Sequence, residues 1–155
     1  CSSDLMRVVI QRVSQAEVKV SGTIKSNISE GLLILLGVEK DDNKDDVSWL
    51  SKKISGLRIF NDANGIMNLS IRDVDGDVLV VSQFTLHART KKGNRPSYIN
   101  AAHPNHAIPL YELFIKDLEN HLGKPVGAGE FGAEMNINLI NSGPVTIIMD
   151  TKNKE

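Results

Sequence analysis

Residues 6–38 have the patterns of apolar and polar residues that are typical of short β-strands. Residues 6–13 are β-branched and apolar with polar residues interspersed, which predicts a strand. Gly22 then supplies a turn between residues 17–20 and 23–28, which predicts a hairpin. Residues 31–38 are almost wholly apolar, as is typical of a central strand buried on both faces.

Two segments have helical spacing instead. After the acidic stretch 41–46, apolar residues recur every three or four positions through 47–57, with carboxylates at the favourable N-terminal end. A second set with the same spacing occupies 107–122 and stops at Gly123, a residue type that commonly ends helices. These patterns predict the two principal helices of the protein.

The remaining apolar runs predict further strands around turns. A second hairpin turns at 61–65, and a hinge at residues 142–144 separates the last two strands. The predicted strands are 58–60, 66–71, 78–85, 136–141 and 145–149. We therefore predict an α/β fold in a single domain, with a mainly β sheet or barrel-like core and two principal helices.

The composition is that of one globular domain. The chain has 155 residues, of which 41% are hydrophobic and 24% charged, and 18 basic against 19 acidic residues leave a formal net charge of −1. This balance excludes a generally polybasic nucleic-acid binder but not a local basic patch. The longest apolar run, residues 32–36, is far shorter than the roughly 20 residues of a membrane span. We expect a cytoplasmic protein without membrane association.

The first five residues look like a remnant of cloning, so we take Met6 as the natural start. The single cysteine, Cys1, lies in that remnant, which leaves no thiol for catalysis or metal binding in the rest of the chain. We divide the chain into the remnant 1–5, a single domain 6–150 and a polar tail 151–155.

Four segments suggest ligand sites but have the wrong context or composition. Residues 127–132 match G-x-G-x-x-G, yet they follow a predicted helix and lead into a strand, the reverse of a dinucleotide-binding turn, so a flexible glycine loop fits better. The acidic runs 41–46 and 73–77 lack the glycine and glutamate of a calcium loop. His103 and His106 lack the carboxylate of a zinc-protease pattern, and we expect them to have a structural role at a helix start. The sequence thus predicts no metal and no cofactor.

Positive charge is concentrated in the long polar segment 89–104. Its clustered basic residues are Arg89, Lys91, Lys92 and Arg95. The segment is too long for a simple connector, so phosphate binding and an ordinary solvated surface are both open interpretations. For the neighbouring His87, substrate contact and solvent exposure are likewise both open.

Two segments carry residues that structure alone would not require. The predicted strand 78–85 ends in Ser82, Gln83 and Thr85. Serine and threonine are candidate nucleophiles but have no base adjacent in sequence, whereas strand-end N–H groups suit an oxyanion hole. Gly143-Pro144 lies between two predicted strands, where proline permits a cis peptide and an ordinary turn is the alternative.

Seven short motifs occur in order between residues 6 and 149. They are RVVIQRV at 7–13, GLLILLGV at 31–38, RIFND at 58–62, VVSQFTL at 80–86, GNRPS at 93–97, FGAEM at 131–135 and NSGPVT at 141–146. Each motif is modestly specific, and the ordered set, which is highly specific, resembles the D-aminoacyl-tRNA deacylase family. One departure is Ile66, a position where the family commonly has lysine.

The resemblance implies a homodimeric enzyme that hydrolyses the ester between a D-amino acid, or glycine, and the terminal adenosine of tRNA. It implies that a cis Gly143–Pro144 peptide of one subunit rejects L-amino acids and faces the catalytic segment of the other. That catalytic segment comprises Ser82, Gln83, Phe84 and Thr85.

The resemblance also suggests how the RNA is held. Phe131 and Met135 are expected to line the adenosine pocket. The basic residues Arg89, Lys91, Lys92 and Arg95 are expected to contact tRNA phosphates. The partners are therefore an aminoacyl-tRNA acceptor end and a second copy of the chain.

Four alternatives bear on the chemistry. We expect attack by water, with the Phe84 and Thr85 N–H groups stabilising the oxyanion and the ribose 2′-hydroxyl orienting or activating the water. The alternative for the same hydrolysis is Thr85 as a covalent nucleophile. A non-catalytic tRNA-binding module, or a small-molecule-binding dimer without an RNA partner, would give no turnover.

Overall fold

The computed structural model describes residues 6–151, so the predicted remnant 1–5 and residues 152–155 of the predicted tail lie outside the described residues. A short 3-10 turn, Phe84–His87, follows the sixth strand. The strands and helices are β1 (Arg7–Val20), β2 (Thr23–Ile28), β3 (Gly31–Gly37), α1 (Lys44–Gly56), β4 (Phe60–Asn61), β5 (Met67–Leu69), β6 (Asp77–Ser82), α2 (Pro104–Leu122), β7 (Gly127–Ala128) and β8 (Met135–Asp150).

The sheet is organised around β1. This strand pairs antiparallel with β8 along its length, with β3 through residues 7–13 and with β2 through residues 16–20. β3 then runs parallel to β6, and β6 runs parallel to β7. The result is a nearly closed, barrel-like sheet in a single domain with two helices, beside a small β4–β5 ribbon. The predicted fold class is confirmed.

Apolar side chains cover both faces of the central strands. Leu32 and Ile34 of β3 belong to the larger core, which includes residues of α1 and α2. Leu33 lies in a second cluster with Leu79 and Val81 of β6. The prediction that this segment is buried on both faces is therefore confirmed.

The helix ends follow local capping. α1 begins before its apolar periodicity does, because the Asn43 side chain accepts hydrogen bonds from the N–H groups of Asp45 and Asp46. The Asp46 carboxylate in turn accepts the Asn43 N–H at 3.0 Å, which completes a capping box. α2 ends at Gly123, which has a left-handed φ of 71° as predicted. Neither of the two described helices combines the length and apolar content that crossing a membrane requires.

Three predicted boundaries are wrong for a common reason. The predicted strands 6–13 and 17–20 are one strand, although Ser14 and Gln15 are exposed, because β8 pairs with both parts of β1. The predicted strands on either side of Gly143 are likewise one strand, β8, with an interruption in its pairing. Residues 127–128 of the expected glycine loop form β7 against β6. In each case a partner distant in sequence supplies the hydrogen bonds.

Candidate active site

The chain leaves the sheet directly after Ser82. Gln83 N–H donates to Leu36 O at 2.7 Å, and the backbone of Gln83 (φ −147°, ψ 86°) then turns into the 3-10 segment. The prediction that the strand continues to Thr85 is therefore wrong. Because the chain turns there, Phe84 is 56% exposed and Thr85 is half-buried at the edge of the sheet.

The Thr85 hydroxyl is held by an amide. The Gln83 side-chain Nε2 donates a hydrogen bond to Thr85 Oγ1. An amide N–H cannot take the hydroxyl proton, so this pair lacks the base that a nucleophilic threonine requires. The geometry favours a positioning function for both side chains.

His87 anchors the 3-10 turn in the domain. It is only 6% exposed, so the interpretation as a solvent-exposed residue is wrong. Its Nδ1 lies 3.9 Å from Glu39 Oε2. Its ring packs against Gly37, where an added Cβ would lie only 3.0 Å from His87 Nε2. Burial lowers the pKa of His87 and so favours the neutral imidazole.

Arg7 fastens the other side of the same turn. Its Nη1 donates to Leu86 O at 2.8 Å, and its Nε donates to Asp150 Oδ1 at 2.8 Å. The turn is thereby connected to β1 and, through the carboxylate, to the end of β8. The sequence pattern did not indicate this role, since Arg7 is one of several polar residues in a half-buried strand.

A small apolar cleft opens beside Gln83 and Phe84. Tyr111 of α2 lines it, and the Tyr111 hydroxyl donates to Val80 O at 3.2 Å. Burial raises the pKa of Tyr111 to about 12. The ring of Phe131 meets Tyr111 edge to face, with centroids 5.8 Å apart. The cleft therefore offers aromatic surface directly beside the polar strand end.

Met135 lies elsewhere. A Cβ added to Gly129 would lie 2.6 Å from the Met135 sulfur, so this sulfur packs directly against Gly129. The Met135 side chain also packs against the second core cluster, which contains Val18. The structure thus brings Phe131, but not Met135, to the cleft beside Phe84.

The Gly143–Pro144 peptide is cis and lies in a bulge of β8. Val13 pairs with Asn141 and Gln11 pairs with Thr146, so residues 142–145 of β8 lie opposite the single residue Arg12. Both Gly143 and Pro144 are exposed. The bulge therefore presents this peptide outward from the sheet.

Side chains hold both ends of the bulge. Arg12 Nε donates to Ser142 O at 2.9 Å, and Arg12 Nη1 donates to Ile59 O at 2.8 Å. The Asn141 Oδ1 accepts the Val145 N–H at 2.8 Å. Arg12 was not among the predicted site residues, because only the pairing across β1 and β8 reveals what lies opposite it.

The 3-10 turn and the bulge are attached to different positions along β1. Arg7 binds the turn and Arg12 binds the bulge, and five residues of extended strand separate them by about 16 Å. Along β3, Leu36 accepts the Gln83 N–H, whereas Leu32 lies opposite Arg12. Within one chain, therefore, the 3-10 turn and the bulge are attached at different points along the β1–β3 pair.

The predicted phosphate-binding residues lie on one exposed loop. The loop is closed at its base by paired backbone hydrogen bonds, Arg89 N–H to Ser97 O at 2.7 Å and Ser97 N–H to Arg89 O at 2.9 Å. The exposed basic residues on it are Arg89, Lys91, Lys92 and Arg95. Their charge is thus concentrated immediately after the 3-10 turn.

The two histidines of the rejected zinc motif have structural positions. His103 is the N-cap residue of α2, and His106 Nε2 lies 2.8 Å from Asp42 O. Their predicted role at a helix start is confirmed. Across residues 6–151, no three His, Cys, Asp or Glu residues are grouped as metal ligands.

Known proteins resemble this chain over nearly its whole length. A family model described as D-Tyr-tRNA(Tyr) deacylase matches residues 9–150. D-aminoacyl-tRNA deacylases of Phocaeicola vulgatus and Flavobacterium johnsoniae are 63% and 60% identical over 150 residues, covering 97% of this chain and 100% of each relative.

Two solved structures have the same fold. A c-Myc DNA Unwinding Element Binding Protein superposes with a TM-score of 0.87 at 35% identity, covering 93% of this chain and 97% of that one. A probable eukaryotic D-amino acid tRNA deacylase gives a TM-score of 0.82 at 17% identity, covering 94% and 99%, and supports the fold alone. Because the family model spans residues 9–150 and relatives are about 60% identical, the chain belongs to the D-Tyr-tRNA(Tyr) deacylase family, which confirms the resemblance and the prediction that the protein is an enzyme.

Proposed function

We propose that this protein hydrolyses the ester bond of D-aminoacyl-tRNA and of glycyl-tRNA in the cytoplasm, releasing free amino acid and tRNA. The observation that carries the proposal is the 3-10 turn after Ser82, which places Phe84 and Thr85 at the surface beside an aromatic cleft. Family membership supplies the reaction class.

The complete site is formed by two copies of the chain. Within one copy the turn and the bulge are attached to β1 residues about 16 Å apart, and in the proposed dimer the bulge of one subunit reaches the turn of the other. The exposed Gly143 and Pro144 are free to extend across such an interface. Ile140 and Ile148, which are exposed on β8 on either side of the bulge, supply apolar area for it. A strictly monomeric mass in solution would contradict this arrangement.

Chirality is sensed by main-chain oxygens. With the α-amino group and the ester held in place, D and L side chains point in opposite directions, and the carbonyls of Gly143 and Pro144 occupy the space that an L side chain needs. Overpacking in a stiff site costs roughly 1–3 kcal/mol, and a misplaced amino group adds a similar amount. Together these terms give discrimination on the order of 10²–10⁴. Glycine has no side chain to exclude and is accepted.

Water is the nucleophile. The first N–H groups of the 3-10 turn, those of Phe84 and Thr85, lack acceptors within the turn and stabilise the oxyanion. The ribose 2′-hydroxyl of the substrate orients or activates the water. Gln83 bonded to Thr85 Oγ1 opposes the covalent alternative, because an amide provides no base.

The basic loop guides the acceptor end. Arg89, Lys91, Lys92 and Arg95 provide the positive charge for RNA phosphates, so binding weakens steeply with salt. The second candidate is a non-catalytic nucleic-acid-binding module. It is favoured by the same loop and by the 35% identity to a c-Myc DNA Unwinding Element Binding Protein. It predicts binding without turnover.

One assay separates these functions. Purified protein is incubated with D-Tyr-tRNA, L-Tyr-tRNA and Gly-tRNA, and release of amino acid is measured. We expect release from the D-Tyr and Gly substrates and almost none from L-Tyr-tRNA. No release from any of them supports the binding module, and equal release of both tyrosine enantiomers refutes the chiral filter.

A single variant tests the chemical step. Thr85→Ala removes the hydroxyl but keeps the backbone N–H. We expect D-Tyr-tRNA hydrolysis to persist, with at most about a tenfold loss, because a single neutral hydrogen bond contributes about 0.5–1.5 kcal/mol. Abolished hydrolysis by folded T85A protein, checked by circular dichroism, would establish Thr85 as the nucleophile instead.

A further inference from the structure

An exposed apolar patch formed by the side chains of Tyr98, Ile99 and Phe84 lies at the 3-10 turn, and the hydrolytic mechanism uses none of these side chains. Tyr98 meets Phe84 edge to face, with ring centroids 4.9 Å apart and planes inclined by 75°. Tyr98 is 38% exposed and Phe84 is 56% exposed, and Ile99, next in sequence, is 69% exposed. Aromatic surface this open, directly beside a catalytic segment, is available to a ligand.

The backbone that carries Tyr98 is held on both sides. Before it, Ser97 exchanges two hydrogen bonds with Arg89. After it, the Lys40 N–H donates to Asn100 O at 3.2 Å and the Ala102 N–H donates to Val38 O at 3.0 Å. The aromatic ring therefore stands on a pre-organised segment, which lowers the entropy lost on binding.

The charge around the patch selects the class of ligand. The loop closed by the Arg89–Ser97 pair carries Arg89, Lys91, Lys92 and Arg95, all exposed. Aromatic side chains for the bases, combined with cations for the phosphates, are the recognition pattern of single-stranded nucleic acid. An apolar peptide or a neutral small molecule would leave these cations unmatched.

We propose that Tyr98 stacks on the unpaired base that precedes the terminal adenosine of the acceptor strand, while the basic loop binds the flanking phosphates. This subsite is distinct from the cleft lined by Phe131 and Tyr111. The inference rests on the proposed function and extends it from the terminal nucleoside to its neighbour. Tyr98 is thus a binding residue for the RNA, with no part in the chemical step.

The test compares two substrates that differ in that neighbouring nucleotide. D-Tyr-tRNA contains it, and D-tyrosyl-adenosine lacks it. For Tyr98→Ala we expect KM to rise about 5- to 150-fold more with D-Tyr-tRNA than with D-tyrosyl-adenosine, from the usual strength of base–aromatic stacking. Equal rises for both substrates, or none, would overturn the proposal.

Further variants separate stacking from apolar contact. Tyr98→Phe keeps the ring and should retain wild-type KM with both substrates, whereas Tyr98→Leu keeps apolar volume without a ring and should behave as Y98A. If Y98L binds D-Tyr-tRNA as well as Y98F does, stacking is refuted. Ile66→Ala, an exposed apolar change on the β4–β5 ribbon, should not alter the ratio of the two KM values.

A binding measurement is independent of turnover. The affinity for the oligonucleotide CCA, relative to that for adenosine monophosphate, should fall about 5- to 150-fold in Tyr98→Ala. If wild-type protein hydrolyses neither substrate, the proposed function is wrong. The ratio of the two affinities still tests whether Tyr98 stacks on the base. An unchanged ratio rejects the subsite whatever the enzymatic result.

Discussion

Replacing Arg12 by methionine removes the guanidinium that faces the β8 bulge while keeping the unbranched stem. Two short hydrogen bonds disappear, to Ser142 O at 2.9 Å and to Ile59 O at 2.8 Å, together with a longer one to Asn61 Oδ1 at 3.5 Å. A hydrogen bond from a charged donor contributes about 1.5–3 kcal/mol, and the partial exposure of Arg12 reduces that. We therefore expect R12M to lower the free energy of unfolding by about 2–4 kcal/mol, or the Tm by about 4–16 °C.

The effect on selectivity is the more specific part of this prediction. Without Arg12 the carbonyl of Ser142 is free to move, and the Gly143–Pro144 segment that follows it loses its fixed direction. The steric part of the discrimination that we propose for this segment, about 1–3 kcal/mol, would then weaken, so L-Tyr-tRNA hydrolysis should rise about 5- to 150-fold relative to D-Tyr-tRNA hydrolysis. The assay is the ratio of kcat/KM values for the two substrates.

Arg7→Met is the matched control. Arg7 also makes two short hydrogen bonds, but to Leu86 O and Asp150, at the 3-10 turn instead of the bulge. R7M should lose similar stability and lower kcat with D-Tyr-tRNA, while the ratio between enantiomers stays near its wild-type value. If R12M leaves that ratio unchanged, or if R7M shifts it equally, Arg12 does not position the chiral filter.

Two further predictions concern the anchoring of the 3-10 turn. Gly37→Ala would place a Cβ 3.0 Å from the His87 ring and 3.1 Å from Gln83 O. We therefore expect the free energy of unfolding, measured by chemical denaturation, to fall by about 1–3 kcal/mol. The control Gly56→Ala, where a Cβ meets nothing within 4 Å, should be nearly neutral. Burial lowers the pKa of His87 below its ordinary 6.5, so the unfolded chain binds the proton more readily than the folded one. The neutral ring therefore contributes stability that is present above pH 6.5 and declines as the pH falls below that value. Denaturant unfolding between pH 7.5 and 5 should therefore show a steeper loss in wild type than in His87→Gln, and parallel curves would contradict this.

The elements that the sequence predicted well are those encoded by neighbouring residues. Apolar spacing and the terminal Gly123 predicted α2, and the continuous apolar run 31–38 predicted a strand buried on both faces. Both signals act within a few residues, because side-chain periodicity and capping depend on local backbone geometry. Family membership was also readable, because seven ordered motifs are preserved in the chain.

The candidate site was predicted only in part. Ser82, Gln83 and Phe84 were identified and do border a cleft, and Phe131 lies in it, whereas Met135 packs into the second core cluster. Arg12 and Arg7 were not identified. Their partners lie up to 143 positions away in sequence, so nothing beside them along the chain indicates what they bind.

By itself, the amino-acid sequence determined the class of fold, the two helices, the buried central strand and the family. Only the tertiary structure decided that β1 and β8 are continuous, that His87 is buried, and that the bulge lies opposite Arg12. The physical reason is that local propensities depend on adjacent residues, whereas strand register and the burial of a polar side chain depend on segments that meet only after the chain has folded.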